Sequence, residues 1–380
     1  MLIHRYLFDF LNKTNKSILL LGPRQTGKSS LIQALHPDVS INLADEEVFV
    51  RHLSDPGLIK TTIRSHRRIF IDEVQRIPSI LNTVQVLIDS DKKLQFFLTG
   101  SSARKLKRGK ANLLPGRVLG LELGPLCLLE LGESFSLNKA LVRGLLPGIY
   151  CEEEDKIAQK ILQTYSVSYL KEEIQAEALT KNLEGFSRFF SVVVSRSGDF
   201  LDFSKIAKEA SIERMSARRY YDILLDTLVA TEVPPFTKSS KKRLIQHPKF
   251  YLFDVGVLNG CLNNFSASPD RMGMLLEHLV LQLILSAAKA RDETITVSVY
   301  RTESGAEIDF IVQRASEIFA IEVKASKHVI SNDLRGLKSF ADFYGKKHHS
   351  ILAYLGENPL RIDGVNVLPL AKALNFMGYA

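Results

Sequence analysis

Gly22-Pro-Arg-Gln-Thr-Gly-Lys-Ser29 decides the reading of this chain. It has the G-x-x-x-x-G-K-[ST] spacing of a phosphate loop, in the setting that loop requires. Ser17-Ile-Leu-Leu-Leu21 precedes it as a buried strand, and Lys28 to Leu35 follows it as a helix. Gly22 and Gly27 let successive backbone N–H groups curl around phosphate oxygens without a Cβ clash, with Pro23, Arg24, Gln25 and Thr26 spanning the turn between them. The helix N-terminus adds its dipole, with Ser30 in its first turn. Lys28 is placed to reach the β- and γ-phosphates, and the Ser29 hydroxyl to ligate Mg²⁺. A nucleoside triphosphate is the expected ligand. A glycine-rich turn with no ligand is the alternative, and the two flanks argue against it.

Working outward, Arg68-Ile-Phe-Ile-Asp72 and Gln95-Phe-Phe-Leu-Thr99 read as two further buried strands, with a helix over Ile77 to Asp89 between them. Short apolar strands separated by helices predict a parallel sheet covered on both faces. Ligands sit at the carboxyl ends of such strands, and Asp72-Glu73 falls at one. Asp72 is placed to hold Mg²⁺ through water, and Glu73 to orient and deprotonate an attacking water. Thr99 could sense a γ-phosphate from between the first two elements, or belong to an ordinary turn. Arg117, in Pro115-Gly-Arg, could stabilise transition-state charge in its own chain or in a neighbouring copy, or be a solvated loop arginine.

The chain of 380 residues, 45% hydrophobic and 24% charged, is long enough for more than one core. It contains no run of about 18 uncharged apolar residues, so no membrane span is expected. The N-terminus lacks the pattern of a secretory leader, and Cys127, Cys151 and Cys261 are scattered, read as buried thiols. Both features suit a cytoplasmic protein. The formal charge of +8 favours polyanions, nucleic acid first among them. Punctuation at Pro115-Gly116 and Gly124-Pro125 suggests a first domain over 1–124, then a helical connector over 125–190 that includes Glu152 to Glu177.

Over 191–248, Phe203 to Ala210 and a helix opened by an N-cap at Ser216 make a helix-turn-helix pattern. Leu228 to Val233 and Arg243 to Gln246 can pair as strands around a basic tip containing Lys238, Lys241, Lys242 and Arg243. That is a winged-helix order, with DNA the expected partner through Arg218, Arg219 and the tip. Such modules also serve as protein contacts. The group Arg104, Lys105, Lys107, Arg108 and Lys110 could extend the track or be an exposed loop.

Over 249–380, Glu322 and Lys324 alternate onto one strand face, with Asp309 on the neighbouring strand if 315–317 turns, and Glu277 in an apolar helix over Met272 to Ser286. Carboxylates on adjacent strands can share a divalent metal, with Lys324 holding or activating water. A cross-face ion pair is the plain alternative for Glu322 and Lys324.

The loop Gly22–Ser29, together with Phe70-Ile-Asp-Glu-Val-Gln-Arg-Ile-Pro78, Leu98-Thr-Gly-Ser-Ser102, Pro115-Gly-Arg117, Gly144-Leu-Leu-Pro147, Pro248-Lys-Phe-Tyr-Leu-Phe-Asp254, Leu276-Glu277 and Ala306-Glu-Ile-Asp-Phe310, resembles one family. It is the prokaryotic AAA-type ATPases with a C-terminal domain of uncharacterised function. The resemblance implies an AAA-like core and favours ATP over GTP. The order of C-terminal elements is similar to the PD-(D/E)XK nuclease fold. The expected architecture is therefore α/β: a P-loop AAA-like parallel-sheet domain, a helical connector, a winged helix and a restriction-endonuclease-like α/β domain. Two functions follow. One is an ATP- and Mg²⁺-dependent, DNA-directed nuclease-like effector; the other is a nucleotide-controlled switch that binds DNA or protein without cutting. Sharing of Arg117 between copies would make the chain a homo-oligomer.

Overall fold

The computed structural model describes residues 3–55, 57–101, 114–165, 182–237 and 247–380. The chain divides into two compact units, the first built mainly from Met1–Gly124 and the second from most of the remainder.

In the first unit five strands form one parallel sheet: β1 (Ser17–Leu21), β2 (Val39–Asn42), β3 (Arg68–Asp72), β4 (Gln95–Gly100) and β5 (Val118–Glu122). Their order is β2-β3-β4-β1-β5. The three central strands β3, β4 and β1 are largely apolar because both faces are covered, whereas the edge strands β2 and β5 are largely exposed. Leu19, Ile69, Ile71, Phe96 and Leu98 pack on one side with Ile80, Leu81 and Val84. Ile18, Leu20, Phe70 and Phe97 pack on the other with Leu7, Leu11, Leu31 and Ile32. The helix expected from Ile77 is shorter and later: a 3-10 turn spans Val74–Arg76 and the α-helix runs Ile80–Ser90. Pro78 accounts for this, since it disfavours helical backbone at Ile77, which lies outside the helical region (φ −129°, ψ 76°). The helix after the phosphate loop is Lys28–Gln33.

The second unit contains most of what was expected of the connector, the middle module and the C-terminal domain, apart from the short pieces Asp226–Val229 and Lys289–Asp292. The connector helix runs Asp155–Thr164, and the rest of the stretch to Glu177 lies largely outside the described residues. Helices Phe203–Glu209 and Arg214–Asp226 follow, the second beginning at Arg214 rather than after a cap at Ser216. β6 (Ala230–Val233) pairs antiparallel with β7 (Lys249–Leu252). The expected partner strand Arg243–Gln246 and the tip residues Lys238, Lys241, Lys242 and Arg243 lie outside the described residues, as does the basic group 104–110. Phe250, Tyr251 and Leu252 are buried, apolar area that the lysine-rich segment before them cannot offer. A domain boundary at 248 would separate two paired strands.

A six-stranded mixed sheet completes this unit: β8 (Ile295–Arg301), β9 (Glu307–Arg314), β10 (Glu317–Lys324), β11 (His349–Tyr354), β12 (Leu360–Ile362) and β13 (Val365–Pro369), in the order β12-β13-β11-β10-β9-β8. β8, β9 and β10 are antiparallel, and β10 pairs parallel with β11 after the helix Arg335–Tyr344. The helix Pro269–Ala290 is long and apolar enough to cross a membrane by composition, but 67% of its apolar window is buried inside the protein. Cys127 is buried, whereas Cys151 and Cys261 are partly exposed, contrary to the expectation of three buried thiols.

Candidate functional site

In a parallel sheet all carboxyl ends share one edge. Because β4 lies between β3 and β1, the ends of three strands gather there: the phosphate loop after Leu21, Asp72-Glu73, and Thr99-Gly100-Ser101. Gly22 has no alternative, since a Cβ there would lie 2.2 Å from the Leu123 carbonyl oxygen. Gly27 caps the following helix in the left-handed region (φ 90°). Lys28 is buried and folds back over the loop, its Nζ donating to the carbonyls of Gly22 (2.9 Å) and Pro23 (2.8 Å). The Thr26 hydroxyl donates to Pro23 O at 2.9 Å. Arg5, which sequence reasoning passed over, donates to Thr26 O and to Gly124 O (2.9 Å), fastening the loop from below.

The Thr99 hydroxyl donates to Asp72 Oδ1, which also accepts from Glu73 N at 3.1 Å. Glu73 itself sits in left-handed backbone (φ 59°, ψ 45°). Arg117 is not brought to this edge. Val118 pairs with Ser17 and Glu122 with Leu21, so Arg117 stands at the amino end of β5. The length of the sheet, roughly 16 Å, separates it from the phosphate loop. Its guanidinium makes a two-pronged pair with Asp89, with contacts of 2.9 Å from both Nε and Nη2.

In the second unit the register that pairs Ile321 with Phe310 brings Asp309 opposite Glu322. Asp309 Oδ2 accepts from Val323 N at 2.8 Å, and Lys324 Nζ is 2.7 Å from Glu322 Oε1. Glu277 does not join them freely. It accepts from Tyr251 OH (2.5 Å) and pairs with Lys249 at 3.0 Å. Lys249 also contacts Glu307 (2.8 Å) and lies 4.0 Å from Asp309. Burial would lower the Lys249 ammonium's pKa, but Glu277, Asp309 and Glu307 together hold it above the ordinary lysine value. Burial raises Asp309 well above the usual carboxylate range, with Glu277 and Glu322 adding to the shift and Lys249 opposing it. Burial likewise pushes Glu322 up to about 7, against the pull of Lys324.

The fit to a divalent metal is thus partial. Asp309 and Glu322 face each other, and Glu322 Oε2 is a buried oxygen with no hydrogen-bond partner among the described residues. Yet among the described residues no three His, Cys, Asp or Glu side chains converge to hold an ion. Lys249 supplies the positive charge on the Glu277 side. Glu307 was legible, two residues before Asp309 on the same strand face. Lys249 was not, because only the placement of β7 brings it to Glu277.

A parallel sheet in the order β2-β3-β4-β1-β5, with a phosphate loop after β1 and an acidic pair after β3, defines a P-loop NTPase domain. Residues 14–132 match the family of AAA domains. Residues 134–268 match a domain of unknown function (DUF8612) and residues 272–373 another (DUF4143). The first unit is therefore an AAA-type P-loop ATPase domain. An uncharacterized protein of Mycobacterium tuberculosis is 27% identical over 328 residues, 84% of this chain and 72% of the relative. One from Methanocaldococcus jannaschii is 24% identical over 330 residues, 78% and 72% of the two chains. Among solved structures, AMPPCP-bound DnaA from Aquifex aeolicus is 14% identical over 58% of this chain and 84% of that one, with a TM-score of 0.26. A STAND protein with a tetratricopeptide repeat sensor from Pyrococcus horikoshii is 13% identical over 76% and 47%, with a TM-score of 0.26.

Proposed function

We propose that this cytoplasmic chain couples hydrolysis of ATP to DNA-directed action of a nuclease-like C-terminal site. In the ATPase domain, the loop Gly22–Ser30 holds the phosphates, with Lys28 turning from Gly22 O and Pro23 O to the β- and γ-phosphates. Ser29 and Asp72 would hold Mg²⁺, which neutralises charge on the phosphate oxygens. Glu73 accepts the proton of the attacking water, and Thr99 links Asp72 to the neighbouring strand end.

The observation that carries the nuclease-like reading is Asp309 set opposite Glu322, with Lys324 paired to Glu322 on β10. The antiparallel β8-β9-β10 followed by a helix and a parallel β11 is the order that reading requires. DNA contact is supported by the two helices Phe203–Glu209 and Arg214–Asp226, with the antiparallel pair β6-β7 after them. Phe200 bridges to Lys249 to give the pair a third chain. Arg218 and Arg219 are anchored over Phe203 and Tyr220 (5.0 and 5.3 Å).

The test is metal-dependent cleavage of single- and double-stranded DNA, with and without ATP, by the wild type, Glu322→Ala and Lys28→Ala. Cutting lost in Glu322→Ala supports the site, and cutting lost in Lys28→Ala supports its control by ATP. The second reading, a nucleotide-controlled switch that binds without cutting, is favoured by Lys249, an internal cation already seated among Glu277, Glu307 and Asp309. Wild type that hydrolyses ATP and cuts neither form of DNA would select it.

A further inference from the structure

Gln75 lies in the turn that follows Glu73 and is only 6% exposed. Its Nε2 donates to Glu73 Oε2 and, at 3.0 Å, to Ser101 Oγ. A carboxylate only accepts, so the nitrogen end of the amide must face Glu73, and both of its N–H groups are then committed. The other end, Oε1, is buried and has no hydrogen-bond partner among the described residues. It lies against Gly100, where a Cβ would stand 2.8 Å from it and 3.3 Å from Leu21 Cδ2. Gly100 in turn pairs with Leu21 and accepts from Gly22 N at 3.3 Å. One side chain thus ties the acidic end of β3 to the end of β4, next to the strand that launches the phosphate loop.

A glutamine kept for packing would be a poor choice here. An unsatisfied buried amide oxygen carries a desolvation penalty that an apolar residue of the same shape avoids. Glu73 also holds left-handed backbone, a conformation unfavourable for a non-glycine residue that persists where surroundings impose it.

We propose that Gln75 is a positioning residue for hydrolysis. Its amide, anchored on Ser101, fixes the Glu73 carboxylate in the orientation from which it takes the water proton. In that step the water oxygen bonds to the γ-phosphorus, the bond from γ-phosphorus to the β–γ bridging oxygen breaks, and the proton passes to Glu73. The inference rests on the assignment of Glu73 as the base.

Steady-state ATP hydrolysis by the full chain tests it, with affinity for a non-hydrolysable ATP analogue measured alongside. Gln75→Met keeps the volume and removes the donors. It is expected to lower kcat roughly 10- to 100-fold, with KM and analogue affinity within about threefold of wild type. Ser101→Ala, which loosens the anchor only, is expected to lower kcat about 3- to 10-fold in the same pattern. In a Glu73→Gln background neither change should lower kcat by more than about twofold, because residues acting as a unit are not additive. An unchanged or raised kcat in Gln75→Met, or an equal loss in both backgrounds, overturns the proposal. Should Gln75→Met not fold, Ser101→Ala in the two backgrounds decides by the same criterion. Wild-type kcat in Glu73→Gln alone removes the base itself, which separates failure of the assignment from failure of the positioning.

Discussion

His278 shows how far a neighbour in sequence can differ in role. It follows Glu277 in the helix Pro269–Ala290, yet it is buried and its Nε2 donates to Leu252 O at 2.5 Å. Burial lowers its pKa from 6.5 to about 4. The folded protein therefore binds a proton there less readily than the unfolded chain does. The stability this group contributes is present above pH 6.5 and is lost as pH falls through the folded value, about 3 kcal/mol in all. His278→Gln retains an N–H donor without titrating. Urea midpoints taken from pH 7 down to pH 4 should fall more steeply for wild type than for His278→Gln, and parallel curves would remove histidine from the account. The same scale sets apart Lys249 and Lys324. Each meets a carboxylate, but only Lys324 is close enough to it in sequence for the pair to be read beforehand.

Among elements, the helix Arg335–Tyr344 lies so close on β9 that a Cβ on Gly336 would meet the Glu307 carbonyl oxygen at 1.8 Å. Glu307 is also a partner of Lys249, so this contact sets the strand that carries both Glu307 and Asp309. Gly336→Ala should cost about 2–3 kcal/mol, read as a lower urea midpoint at unchanged slope, because the helix or the strand must move. An unaltered midpoint would mean that the helix slides without penalty. The central strands were legible because their apolar runs are bounded by turns, and β1 and β3 occupy the residues expected of them, whereas the short edge strands β2 and β5 were not read. The pairing of β6 with Lys249–Leu252 was not legible, because it rests on burial of Phe250, Tyr251 and Leu252, while the expected strand Arg243–Gln246 lies outside the described residues.

On the scale of the whole molecule, sheet topology separates residues that the family resemblance groups together. Arg117 stands across the sheet from the phosphate loop of its own unit, at a distance no arginine side chain spans. Arg117→Ala should therefore leave ATP hydrolysis by dispersed chains within about threefold of wild type, with the loss of only a solvent-screened ion pair to Asp89. A loss above tenfold that does not vary with protein concentration would place the arginine in its own site after all. If the loss appears only on concentrating the protein, and mixing with Lys28→Ala restores activity, copies share a site. What the sequence alone determined is whatever follows from local spacing. That includes a phosphate loop between strand and helix, an acidic pair ending a strand, and a Glu-x-Lys alternation on β10, all fixed by backbone periodicities of a few residues. What only the tertiary structure decided is which distant groups share a charge or a hydrogen bond: Lys249 with Glu277, Gln75 with Ser101, Arg5 with Thr26. Those pairs depend on strand order and register, which bring together residues whose separation along the chain carries no trace of the contact.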